Sequence, residues 1–208
     1  SIGEAMKYVL SVCFLFFFTT TLVFANDHMI EDKQNQLTEQ KENKRRSLIF
    51  TLKQDQKLRH RWFYGWTVGL GALTIGHTSV VFSANHDETR VENGVAAIAS
   101  IIGMGGTFIS PLAPFQEDDW DESFSNEHLE KILRKRARNE SDAKGIFEHI
   151  LCFAIAAGSG MYLWKKEDQP LSAGMTFGLN LLLGELQIWT APTFAKTWWQ
   201  TRHPELAP

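Results

Sequence analysis

"WFYGWTVGLGALTIGHTSVVFSA", Trp62 to Ala84, is a run of 23 residues without a formal charge. As a helix rising 1.5 Å per residue, such a run covers the ~30 Å hydrocarbon core of a bilayer. Trp62, Tyr64 and Trp66 crowd its start, where an interfacial aromatic belt belongs. Gly65, Gly69, Ala72, Gly76 and Ser79 recur at helical spacing and fall on one stripe, so a neighbouring helix is expected to pack there.

Three more segments read the same way: 93–115, 146–166 and 171–194. Ala99/Gly103, Gly106/Ser110, Ala154/Gly158 and Gly174/Gly178 are small pairs four apart within them. Pro111 and Pro114 end the second, and Ser141 or Asp142 is expected to cap the third. With no period-two pattern anywhere, the expectation is an all-α, four-span transmembrane bundle over 62–199 with a tail at 200–208. The link "NHDETRVE" is short, so the first two spans form an antiparallel hairpin.

The rest of the chain is polar. Residues 26–61 hold strong helix formers and neither Gly nor Pro, which predicts a polar, basic helix before the first span. Lys44, Arg45, Arg46, Lys53, Lys57, Arg59 and Arg61 suit anionic lipid headgroups. In the 116–145 connection, Ser125 is a helix N-cap candidate. Leu129, Ile132 and Leu133 then repeat at helical spacing, so a short amphipathic helix is expected along the membrane face. The acidic run "EDDWDE" lacks the glycine that a calcium loop needs and reads as solvated charge.

Residues 1–25, in which Met6 and Lys7 lead an apolar run to Ala25, have the plan of a signal peptide, with an uncleaved signal anchor as the alternative. Nine Lys and Arg residues fall in 26–61, six in the 116–145 loop and two after the last span, against three in the two short loops. Positive-inside bias would place the first group in the cytoplasm, whereas an exporting signal delivers 26–61 outside. The signal is expected to prevail.

With 21 basic and 24 acidic side chains the net charge is −3, which excludes a nucleic-acid partner of the usual basic kind. Cys13 and Cys152 both sit in apolar runs and imply no disulfide framework. No nucleotide-binding loop, nucleophile elbow or metal-ligand motif is present, so no cofactor, metal or catalytic residue is expected.

His77 and Glu185 are the ionisable groups deepest in the spans. A mid-bilayer carboxylate costs on the order of 2.5–3.5 kcal/mol and so faces a partner inside the bundle. His77 and Glu185 each lie about 21 Å into oppositely directed helices, which would leave them about 12 Å apart in depth. His149, entering the third span near the Glu185 level, is the better partner, with Gln187 and Trp189 beside it. His77 matches the depth of Ser159. Pro192 is expected to free the Ile188 carbonyl.

"RHRWFYGWTVGLGALTIG" and "GELQIWTAPT" resemble stretches of a family of uncharacterised bacterial membrane proteins with a signal peptide, a polar helix and several apolar helices. That resemblance implies a multi-pass protein of the bacterial inner membrane and no known activity. Ala191 departs from its pattern, where a longer polar residue such as Gln is expected. The leading expectation is a non-enzymatic structural or accessory subunit. It would meet the lipid bilayer, a protein partner through 26–61 and 116–145, and further copies of itself. The alternative is a small proton- or ion-coupled transporter built on Glu185 and His149.

Overall fold

Apart from Gly3, no glycine or proline interrupts the chain before Gly65, and a helix that nothing breaks continues. The computed structural model accordingly has one helix, α1 (Ile2–Ser83), where a signal segment, a polar helix and a span were each expected. The structure describes the backbone of residues 2–116 and 119–204 and the side chains of residues 33–116 and 119–204. The signal-peptide reading rests on side chains outside that range, as do Glu117, Asp118 and the last four residues of the tail.

Five further helices follow: α2 (Asp87–Ile109), α3 (Asn126–Asp142), α4 (Ile146–Glu167), α5 (Pro170–Trp189) and α6 (Phe194–Arg202), with a 3-10 turn at Pro114–Gln116. No strand occurs among the described residues. The chain divides into two units, residues 1–47 and 48–208. The first is helical, with side chains 33–44 all exposed and a local Arg46–Glu42 ion pair at 3.7 Å.

In the second unit several helix ends have a local cause. Asp87 and Glu88 place negative charge on the first turn of α2, favourable at a helix N-terminus. Ser125 caps α3 by accepting from His128 N at 3.3 Å. The cap of α4 is Gly145, not Ser141 or Asp142, because α3 runs on through both of those residues. Asp168 closes α4 in the left-handed region at φ 53°, and Pro170 opens α5 where its missing N–H costs nothing. α5 stops at Trp189, ahead of Pro192, and the Ile188 carbonyl accepts from Ala191 N at 3.2 Å. That carbonyl is therefore not free, contrary to expectation.

Two kinds of packing coexist. Leu48 and Leu52 of α1, Leu129, Ile132 and Leu133 of α3, and Ala195 of α6 form a core, flanked by Trp198 and Trp199. The apolar face of α3 is thus turned into protein rather than along a membrane surface. We call this α1–α3–α6 layer the cap. Below it, α4 and α5 form a close hairpin and α2 packs on both. Across the α1–α2 hairpin Leu70 meets Gly103, and Phe63 meets Phe108 edge-on at 5.2 Å.

Outside the cap the layering inverts. Val68, Ile75, Phe82, Ile98, Phe147 and Leu179 are all more than half exposed. Among the described residues two stretches, Asp87–Gln116 and Asn126–Glu167, are long and apolar enough to cross a membrane by length and composition. The charged α3 leaves α4 as the apolar part of the second. The expected spans 62–84 and 171–194 fall short of that mark. His77, Thr74, Thr78 and four glycines dilute the first, and Asn180, Glu185 and Gln187 the second.

Among the described residues, nothing closes on the expected glycine stripes. Gly65, Gly69, Gly76, Gly174 and Gly178 have nothing within 4 Å of a built Cβ, and Ala72 is exposed. Spacing places residues on one face but does not supply what stands opposite. The close approaches lie elsewhere. A Cβ on Gly160 would meet the Ala173 carbonyl oxygen at 3.0 Å and Phe177 Cβ at 3.1 Å, and one on Gly184 would collide with Cys152.

Candidate functional site

The α4–α5 register brings His149, in the first turns of α4, against Glu185, in the last turns of α5. His149 Nδ1 lies 3.0 and 2.9 Å from the two carboxylate oxygens of Glu185. Side chains remain 32% and 25% exposed, so the pair is sheltered without being sealed. One ring nitrogen facing both oxygens orients the imidazole and ties the two helices together.

Gln187, two residues on, points to α2 instead. Its side-chain amide donates to Thr107 Oγ1 at 2.8 Å, and its carbonyl accepts from Trp62 Nε1 at 3.1 Å. Trp66 Nε1 donates to Thr190 Oγ1 at 3.0 Å. The two tryptophans therefore pin α1 to the end of α5, while Trp189 is exposed. Ala191 is buried with Leu112, Ala143 and Trp62, where a longer polar side chain would not fit.

His77 and Ser159 do not meet. His77 Nδ1 lies 2.9 Å from Asn93 Oδ1 on α2, the nearest polar group across the tight 84–86 link. Ser159 accepts from Asn180 Nδ2 at 3.0 Å and donates to the Ile155 carbonyl. The deep polar groups thus form separate inter-helix ties and no chain of donors joins His77 to Glu185.

A cavity of about 470 Å3 opens between α1, α2, α4 and α5, with Ser100, Ser110, Glu148, Asn180 and Gln187 on a mainly apolar wall. Glu185 and His149 are absent from that lining. No group of three or more His, Cys, Asp or Glu capable of holding a metal ion occurs among the described residues.

A second polar cluster, not foreseen from the sequence, sits inside the cap. Asp55, Arg59, Arg136 and Glu140 are at most 2% exposed. Asp55 Oδ2 lies 3.0 Å from both Arg59 Nε and Arg136 Nη1. Arg59 Nη2 donates to the Arg136 carbonyl at 2.9 Å, which crosses the helices with a second tie. Glu140 Oε2 accepts from Lys196 N at 2.6 Å and so takes one of the orphan N–H groups opening α6. Asp55 Oδ1 and Glu140 Oε1 are both buried without a donor.

Burial, then the neighbouring Asp55 carboxylate, pushes the Glu140 carboxyl up to about 8. A protonated Glu140 donates to Asp55 and satisfies both orphaned oxygens with one hydrogen. Nearby, Lys144 is held below the usual lysine range by burial, and its Nζ donates to the Trp189 carbonyl at 3.0 Å, at the C-terminal end of α5.

The spacing held a signal for this cluster. Residues 48, 52, 55 and 59 on α1, and 129, 133, 136 and 140 on α3, advance by four, three and four. Each apolar stripe runs directly into an acid–base pair, of opposite order on the two helices. Arg59 accordingly faces inward and is not available to lipid headgroups.

No family model, curated protein or solved structure matches the chain, so none of these comparisons bears on the resemblance to bacterial membrane proteins.

Proposed function

We propose that the chain is a non-enzymatic, multi-pass membrane protein. Its lower bundle stands in the bilayer, and its cap docks at the surface as a structural or accessory element. The inverted layering carries this reading. Large apolar side chains face outward along α2, α4, α5 and α1 beyond Trp62, while the adjoining α1–α3–α6 layer buries its leucines beside one buried charge cluster and exposes Lys53, Lys57, Lys131 and Arg134. Under it, α1 from about Trp62 and α5 cross with α2 and α4, giving four spans. The interfacial tryptophans and the basic cap then lie at one face. The bacterial inner-membrane setting rests on the resemblance alone.

A transporter built on Glu185 and His149 is the competing reading. The cavity beside them supports it less well, because neither side chain opens onto it. A mutual His–carboxylate tie between adjacent helices is what a register lock requires.

Purified protein in vesicles loaded with a pH-sensitive dye tests the choice. A register lock gives proton leakage equal to that of protein-free vesicles. Leakage that depends on the protein and vanishes in Glu185→Gln, with the helical circular dichroism unchanged, would establish the transporter instead. Resistance of the membrane-bound chain to alkaline carbonate tests the integral placement separately.

A further inference from the structure

One face of α1 changes character along its length. Lys53, Lys57 and Arg61 follow one another at intervals of four, and Gln56, His60 and Tyr64 run beside them at the same interval. Together these six residues line an open groove of about 580 Å3 with no carboxylate on its wall. Lys53 pairs with Glu122 at 2.6 Å. Among the described residues no ion pair engages Lys57 or Arg61, both exposed. Arg59, the other base of this stretch, is buried on the opposite side with Asp55.

The same face continues as Tyr64, Val68, Ile75 and Phe82, which are 57%, 69%, 70% and 82% exposed. Residues 57, 61, 64, 68, 75 and 82 advance at close to the helical period, so cations and apolar side chains lie in one line. One leaflet is about 15 Å of hydrocarbon, or roughly ten helical residues. A chain descending from Arg61 would therefore pass Tyr64 and Val68 before reaching the midplane. Gly65 flanks that track, with nothing within 4 Å of its Cβ position.

We propose that Lys57, Arg61, Gln56 and the phenol of Tyr64 form a headgroup site for an anionic phospholipid, whose acyl chain lies along Tyr64–Val68. The inference rests on the membrane placement above. A soluble anion would use the basic groove alone. Continuity of the groove with an exposed apolar track selects a ligand that has both a phosphate and a hydrocarbon tail.

The test is native mass spectrometry of the full chain released from neutral micelles doped equally with phosphatidylglycerol and phosphatidylcholine. Wild-type protein is expected to retain phosphatidylglycerol preferentially. At about 1 kcal/mol for each basic side chain at an anionic surface, Lys57→Gln with Arg61→Gln lowers that retention about thirtyfold. The charge-conserving pair Lys57→Arg with Arg61→Lys keeps it, as does removing two exposed charges on α3 by Lys131→Gln with Arg134→Gln.

Equal loss in the α3 variant means diffuse charge and overturns the site. Unchanged retention in the Lys57/Arg61 double variant, or equal retention of phosphatidylcholine, does so too. Displacement of the lipid by millimolar inorganic phosphate assigns the groove to free phosphate. A lipid-free dimer disrupted by bulky substitution at Gly69 assigns the face to a second copy. Release by alkaline carbonate refutes the membrane placement itself and is read independently of the lipid ratio.

Discussion

Replacing Glu140 by Gln separates the proton from the shape of the buried cap cluster. In the native protein burial and Asp55 raise the Glu140 carboxyl from 4.5 to about 8. The folded state therefore holds a proton that the unfolded chain has already released over that interval. For a group raised on folding, stability is full below the unfolded value and falls as pH rises through the folded one. At 1.36 kcal/mol per unit, the loss across the interval is on the order of 5 kcal/mol, an upper figure because the cap relaxes as charge develops.

The side-chain amide of the Glu140→Gln variant would keep an oxygen for Lys196 N and an N–H for Asp55 Oδ1 at every pH. The variant is thus expected to match wild type at about pH 5 and to exceed it by several kcal/mol at about pH 9. The assay is chemical denaturation followed by far-ultraviolet circular dichroism, in one detergent, at both pH values. Subtracting the two proteins removes every other carboxylate. A difference that stays flat with pH, or that grows towards acid, refutes a proton shared between Glu140 and Asp55.

Other outcomes follow from single contacts. Arg136→Met strands Asp55 in the core with Arg59 alone and is expected to cost about 3–5 kcal/mol in the same denaturation assay. His149→Ala removes the partner of Glu185 and should cost about 1–3 kcal/mol, while Trp66→Phe costs less because Thr190 also bonds its own helix. Gly160→Val forces a side chain against Ala173 and Phe177 and should destabilise by about 1–3 kcal/mol, whereas Gly174→Ala should be silent. Thermal melts in detergent distinguish that last pair.

What the sequence could reveal depended on what its pattern constrains. Helical class followed from the scarcity of breakers before Gly65 and the lack of any two-residue alternation. Counting depth along antiparallel helices placed Glu185 near His149 rather than His77, because rise per residue is fixed whatever the side chains are. The same counting paired His77 with Ser159, where lateral position decided instead and the short 84–86 link brought Asn93 to His77. The glycine stripe of α1 gave a face without an occupant, since spacing carries no information about the opposing surface. Arg59 read as a headgroup contact, and Asp55, Arg136 and Glu140 drew no reading, because each is ordinary alone. Only the continuation of two leucine stripes into complementary pairs marks them, and that requires α1 and α3 to be set side by side. The α6 amide that binds Glu140 comes from Lys196, a backbone group with no side-chain signature.

On the proposed placement, α1 beyond Trp62, α2, α4 and α5 face lipid while the cap faces water. Spin labels on single cysteines, with Cys13 and Cys152 replaced, test it in reconstituted vesicles. Labels at Ile75, Ile98, Phe153 and Leu179 are expected to relax with dissolved oxygen and resist a water-soluble nickel chelate. Labels at Lys131 and Arg134 should show the reverse. Ready access of the nickel chelate to Ile75 and Leu179 would contradict the bilayer placement of α1 and α5.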